Sequence, residues 1–285
     1  MEGNGGMNTN SQPSQDSIDQ KNTAFWDDLC GSQLAQVLGI KDNSPESLKK
    51  FDDWYFEFYP YLHTHIPFAE FNGKRVLDVG LGYGTVAQKI VESGADYRGL
   101  DIAEGPVNMA NQRIKSANLK GHAVQGSVLE APFEDSYFDW AVAIGCLHHT
   151  GNLTKAISEI HRVLKPGGEA MIMVYSATSY RQFQSEPIRT VRRIFSKNHE
   201  LDGADDTSGN EKSRGAYDVN TEGAAAPQTE FVTKTELAHM CREFSNCEIK
   251  SENIGEEGIF KVLSRNNALK FGGVLGLDLY CHLTK

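Results

Sequence analysis

Residues 76–84 read Val76-Leu77-Asp78-Val79-Gly80-Leu81-Gly82-Tyr83-Gly84, and this stretch decides the fold. A short apolar run, long enough for a buried strand, passes into three alternating glycines. A helical stretch with Val86, Ile90 and Val91 follows. Glycine takes backbone conformations closed to other residues and lets a ligand approach the chain closely. A strand feeding a glycine turn and then a helix begins a βαβ unit, and open sheets of such units bind ligands at the carboxyl ends of their strands. Gly80, Gly82 and Gly84 are therefore candidate binding residues. Position 85 is Thr, so the spacing does not continue as the G-x-G-x-x-G of dinucleotide sites.

Outward from this turn the pattern repeats. Tyr97 to Asp101 reads as a second strand, and Pro106 opens a helix with Val107, Ala110 and Ile114 inward. His122 to Gln125 and Phe138 to Gly145 read as third and fourth strands. A helix with Ala156, Ile157, Ile160 and Val163 stops at Pro166-Gly167-Gly168, and Ala170 to Tyr175 is the fifth strand. Strands alternating with helices predict a parallel sheet covered on both faces. Cys247 to Ser251 and Val274 to Leu283 are the expected last strands. The predicted class is α/β: a Rossmann-like, doubly wound, mainly parallel seven-stranded sheet with N-terminal helices and an inserted cap region. Asp101, ending the second strand, can accept hydrogen bonds from both ribose hydroxyls of a nucleoside.

These residues resemble the class I S-adenosylmethionine-dependent methyltransferase family. Gly126-Ser127-Val128 with Ala131-Pro132-Phe133, Phe138-Asp139-Trp140-Ala141-Val142, Leu147-His148-His149 and Arg162-Val163-Leu164-Lys165-Pro166-Gly167-Gly168 extend the match over about residues 74 to 176. They are close to forms in small-molecule members, including the quinone-biosynthesis type. The resemblance implies S-adenosylmethionine as cofactor, with Asp78 and Gly80 to Gly84 near its methionine portion. Asp101 and Ile102 would lie at the ribose, Ser127 and Val128 at the adenine, and Gly145 near the sulfonium. Ser127 stands where many members have Asp. The N/D-P-P-Y of amino-directed members is replaced by Gly145-Cys146-Leu147-His148, which argues against DNA-base methylation.

The rest of the chain divides around this core. Residues 1–20 are polar and expected to be a disordered tail. Residues 21–72 form a helical cap, with Ser44-Pro45 as a helix start and a dense aromatic stretch from Trp54 to Tyr61. Residues 73–177 form the cofactor-binding core, 178–230 an inserted cap or lid, and 231–285 the end of the core. Residues 178–195 could form a basic helix, 198–226 read as a long loop, and Thr233-x-x-Glu236 is a capping box.

The net charge of -10 disfavours nucleic acid as a partner, because phosphate-binding surfaces need clustered Lys and Arg. No membrane insertion and no signal peptide are expected. The five cysteines contain no C-x-x-C pair, which suggests reduced thiols in a cytoplasmic protein and no metal site. The partner is then a small-molecule substrate, its identity and the oligomeric state being open. The expected activity is methyl transfer to that molecule. A nicotinamide-dependent oxidoreductase and a catalytically inactive cofactor-binding regulator are the alternatives. His148 and His149 follow the fourth strand at the reacting edge of the sheet. An imidazole can take a proton near neutral pH, so both are candidate bases, His148 first as the nearer to the strand end.

Overall fold

The structure is a computed structural model describing residues 13–28, 38–40, 43–195 and 208–285. Its centre is a seven-stranded sheet in the order β3-β2-β1-β4-β5-β7-β6. The strands are β1 (Arg75–Val79), β2 (Asp96–Asp101), β3 (His122–Gln125), β4 (Phe138–Ile144), β5 (Leu164–Tyr175), β6 (Asn246–Glu252) and β7 (Asp278–Thr284). β1 to β5 pair in parallel, and β7 runs antiparallel to both β5 and β6. The strand order reverses between β1 and β4, which opens a crevice at their carboxyl ends.

Alternation along the strands builds two cores. Leu77 and Val79 of β1 face one side with Ile157, Ile160 and Leu237, while Val76 faces the other with Ile90, Val107 and Ile114. The first side is covered by α5 (Leu153–Val163) and α8 (Lys234–Met240), the second by α3 (Thr85–Glu92) and α4 (Glu104–Ser116). Two earlier helices, α1 (Gln15–Asp28) and α2 (Pro45–Phe58), lie over the carboxyl edge. Asp52 of α2 is gripped by both terminal nitrogens of the buried Arg113 at 2.8 and 3.0 Å and by the Thr85 hydroxyl at 2.6 Å. That fixes α2 above the glycine turn.

Four expectations change. The first helix begins at Gln15, inside the stretch expected to be a disordered tail; residues 1–12 of that tail lie outside the described residues. Hydrogen bonds supply what apolar content lacks, since Gln15 Nε2 donates to Thr150 O at 2.9 Å and Asn22 Nδ2 to His149 O at 2.7 Å. The basic helix at 178–195 is two, α6 (Tyr180–Ser185) and α7 (Pro187–Phe195), divided where Pro187 cannot continue the first. The described part of the long loop, 208–226, holds a short helix, Glu211–Gly215, and is bridged at Val219 and Ala225. The last strand starts at Asp278 instead of Val274, because Gly272–Leu275 is a helical turn.

Candidate active site

The crevice is made by two loops in contact. After β1, Gly80 takes a φ of 77°, and a Cβ there would lie 2.3 Å from the Cys146 Cβ in the loop after β4. The Cys146 thiol donates to Val79 O at 3.1 Å, locking the loops together. Gly82 differs. Its φ is 48°, yet a Cβ on it would meet no atom within 4 Å, so its bare side faces open space. Gly84, with φ 71°, is the N-cap of α3.

Two carboxylates frame the turn. Asp101 Oδ2 accepts from Leu81 N at 2.7 Å and its Oδ1 from Ala103 N at 2.9 Å, so the group is held rigidly beside the loop. Burial pushes its pKa up against these hydrogen bonds. Asp78 is buried with one side-chain donor, the Tyr97 hydroxyl at 3.2 Å. Burial, with a smaller contribution from Asp101, raises its carboxyl to about 7.

Two cavities meet at the turn. The first, about 150 Å³, runs over Asp101, Ile102, Ser127, Val128 and Gly145 and is roofed by Asp19, Asn22 and Trp26 of α1. The second, about 420 Å³, is lined by Asp78 and Asp218 and by Tyr55, Tyr59, Tyr83, Tyr175, Tyr217 and Tyr280. Trp26, Gly80, Gly82, Ile144 and Gly145 line both. Among the described residues no Lys or Arg lines either cavity.

Of the residues expected from sequence, Gly80, Gly82, Asp101, Ile102, Ser127, Val128 and Gly145 line the first cavity and Asp78 the second. Gly84 lines neither; it starts the helix beneath. Ser127 also caps the following turn, its Oγ accepting from Leu129 N at 3.3 Å. The histidines separate. His148 is fully buried between His149 and Tyr175, at ring distances of 4.2 and 4.1 Å, and lines neither cavity. Burial and then repulsion from His149 push its pKa well below 6.5. His149 lines the first cavity, its ring 4.7 Å from that of Trp26. This reverses the expected order of the two.

His149 Nδ1 donates to Gln228 O at 2.8 Å, which leaves Nε2 for Asp218, whose Oδ2 is 3.6 Å away. Neither of these two atoms has a hydrogen-bond partner among the described residues. The Tyr175 hydroxyl donates to Asp218 Oδ1 at 3.2 Å. Burial acts on both members, lowering the pKa of His149 and raising that of Asp218. Two bare lone pairs would repel, so this geometry calls for one proton between them. The Glu230 carboxylate accepts from Leu153 N at 2.9 Å at the start of α5.

Sequence reasoning put Asp19 of the α1 roof in the tail and Asn22 and Trp26 in the helical cap, and assigned none of the three to the site. It also missed the Tyr217-Asp218 pair, whose only signal was an aromatic beside an acid in a Gly- and Ala-rich loop. The cysteines, scattered in sequence, are partly gathered by the fold: the sulfurs of Cys241, Cys247 and Cys281 lie within 4.8 Å of one another. Cys241 and Cys281 are buried in the core around α5 and α8, and none of the three lines either cavity.

The sheet order, the glycine turn at its reversal and the acidic end of β2 define the class I methyltransferase fold. A family model described as a methyltransferase domain matches residues 77–172. The sterol 4-C-methyltransferase strm-1 of Caenorhabditis elegans is 33% identical over 138 residues, 47% of this chain and 41% of that protein. The ubiquinone/menaquinone biosynthesis C-methyltransferase UbiE of Vibrio cholerae is 33% identical over 109 residues, 36% of this chain and 42% of that one. The crystal structure of the [4+2]-cyclase SpnF aligns over 96% of both chains, with a TM-score of 0.56 at 17% identity. A methyltransferase domain thus occupies residues 77–172, within a class I methyltransferase fold. The chain spans about two fifths of the length of these two curated relatives.

The residues present fit the cofactor. Gly82 leaves open space where a side chain would intrude, Asp101 offers a fixed acceptor at the first cavity, and Asp78 is a buried carboxyl with no side-chain cation paired to it among the described residues. An ammonium group is the partner such a carboxyl lacks.

Proposed function

We propose that this protein transfers a methyl group from S-adenosylmethionine to a small organic acceptor held in the tyrosine-lined cavity. One observation carries the reading: the two cavities share the wall formed by Gly80, Gly82, Ile144, Gly145 and Trp26. Bound S-adenosylmethionine supplies an electrophilic methyl group on a sulfonium. Asp101 and Ile102 hold the ribose side, Ser127 and Val128 the adenine side, and Asp78 the ammonium. Six tyrosines and the indole of Trp26 exclude water from the acceptor and give it an electron-rich enclosure suited to the positive charge of the transfer. Burial raises the pKa of Tyr55, Tyr59, Tyr175, Tyr217 and Tyr280, so these phenols stay neutral donors.

Positioning does most of the work in such a reaction. Where the acceptor must lose a proton, the pair of Asp218 and His149 receives it once the proton they share has left, Asp218 lining the acceptor cavity and His149 the cofactor cavity. His148 takes no part in this scheme. A cytoplasmic setting belongs to the same proposal, supported by the free thiols of the four described cysteines. A nicotinamide-dependent oxidation is not favoured. Calorimetry with S-adenosylmethionine and with NAD separates those two readings. Release of S-adenosylhomocysteine across a panel of acceptors separates an enzyme from an inactive binder; cofactor binding without release from any acceptor would overturn the proposal.

A further inference from the structure

α7 is built inside out. It buries Thr190 and Arg193 against the protein and turns Ile188, Val191, Ile194 and Phe195 to solvent, Ile188 at 72% and Phe195 at 78% exposure. An amphipathic helix resting on a globular core does the reverse. Arg193 fixes the orientation, donating to Phe231 O at 2.7 Å and pairing with Glu236 of α8. The outward apolar face is therefore held in place by buried polar contacts. Across from it, the segment 258–275 exposes Val262, Phe271 and Val274, the last at 83%. Phe183 and Ile194 on one rim and Val274 and Leu275 on the other line a single groove of about 580 Å³. A contiguous exposed apolar surface of this kind marks an interaction site.

The charge on the two rims says what it meets. Arg181, Arg189 and Arg193 are paired with Glu257, Glu186 and Glu236, and Arg265 donates to Phe58 O, so the cations exposed along the two rims are Arg192, Lys234, Lys261 and Lys270. The whole chain has a net charge of -10. Basic and apolar side chains thus coincide on one face of an acidic protein. A second copy of the chain would bring like charges together. Residues 196–207, which follow α7, contain Leu201 as their one large apolar residue and are poorly suited to cover the groove. A bilayer of anionic phospholipid satisfies both features, taking apolar side chains at the acyl boundary and cations at its phosphates.

The face is also close to the acceptor cavity. Ser179 lines the groove, and its hydroxyl lies 2.8 Å from that of Tyr217, which lines the cavity. We propose that the α6–α7 face, with residues 258–275, is a docking surface for an anionic phospholipid bilayer, seating the protein peripherally with the acceptor cavity behind the contact. Among the described residues no helix is long and apolar enough to cross a membrane, and surface contact needs none.

The test uses the full chain and vesicles of phosphatidylcholine with or without phosphatidylglycerol, read by flotation. The wild type should float with the anionic vesicles, more weakly with the neutral ones, and less as salt rises. Ile188→Asp with Phe195→Asp should weaken binding roughly tenfold or more, as two apolar side chains lose their burial. Thermal midpoint and S-adenosylmethionine affinity should not move, because neither residue is buried or lines a cofactor wall. Arg192→Glu should weaken binding to the anionic vesicles alone. A wild type that stays with neither vesicle, or a double variant that floats like the wild type, overturns the proposal. So does a dimer in sedimentation equilibrium that the double variant splits, since the face would then belong to a second copy. Flotation is read without cofactor or acceptor, so its outcome is independent of methyl transfer.

Discussion

Replacing Asp78 by Asn should make the empty protein more stable at neutral pH and the cofactor complex weaker. The carboxyl is buried against one phenol and raised from 3.8 to about 7. At about 1.36 kcal/mol per pH unit, holding it ionised costs the fold roughly 4 kcal/mol, and water in the adjoining cavity reduces that to about 2–4 kcal/mol. A raised carboxyl keeps its proton in the folded state after the unfolded chain has lost it. The protein is thus most stable below the unfolded value and loses this contribution as pH rises through about 7. Asn keeps the acceptor for Tyr97 and removes this titration, so the variant's melting temperature should fall less than the wild type's between about pH 4 and about pH 8, the remaining fall belonging to Asp278, which burial also raises to about 7. The cofactor's ammonium should reverse the shift when it arrives. Calorimetry in buffers of different ionisation enthalpy should then detect close to one proton released per cofactor bound at pH 6 and almost none at pH 8, limits set about either side of that value. Binding by the Asn variant should fall at least roughly tenfold with no proton release. Unchanged affinity in the variant, or no buffer dependence at the lower pH in the wild type, would refute the assignment of Asp78 to the ammonium.

Three further outcomes follow from the same geometry. Asp101→Ala strands Leu81 N and Ala103 N and removes the ribose acceptor, so calorimetry should show at least roughly tenfold weaker cofactor binding together with a lower melting temperature. Gly82→Ala should fold, with a backbone cost of about 1–2 kcal/mol, but fail to bind cofactor, whereas Gly80→Ala should destabilise the fold itself through Cys146; normal cofactor binding by Gly82→Ala would show that the open space is not a ligand cradle. With an acceptor that must lose a proton, turnover should rise with pH as the proton shared by His149 and Asp218 is lost, and Asp218→Asn should lower it roughly a hundredfold and flatten the profile; a pH–rate profile in Asp218→Asn matching the wild type would remove the pair from the chemistry.

How much of this was legible in the sequence depended on how local each decision is. The parallel strands and the helices between them could be read because their burial repeats with a fixed period, and Leu77 and Val76 fall into opposite cores by alternation alone. The glycine turn was equally local, since Gly80, Gly82 and Gly84 all take positive φ within five residues. The start of β7 was not. Val274 looks like strand residue by propensity, but Gly276 passes so close to Glu252 O that a Cβ would lie 2.3 Å from it, and the chain turns there before pairing. The acceptor cavity was beyond reach for another reason. Tyr55, Tyr175, Tyr217 and Tyr280 come from α2, β5, the 208–226 segment and β7, and nothing in any one of these segments says that the others meet it.

The inverted helix marks where periodicity stops informing. Residues 187–195 give a clear apolar face at helical spacing, and the ordinary reading turns that face inward. Which way it points is set by partners elsewhere in the chain: the carbonyl of Phe231 and the carboxylate of Glu236 receive Arg193, and turning the helix over would break that buried pairing and strand its charges. Glu236 is the same residue that closes the capping box of α8, accepting from Thr233 N at 2.7 Å. One carboxylate therefore both starts α8 and holds α7 face outward. Glu236→Gln should loosen both, and the apolar face, freed from its anchor, should then bind vesicles less well although no residue on that face has changed.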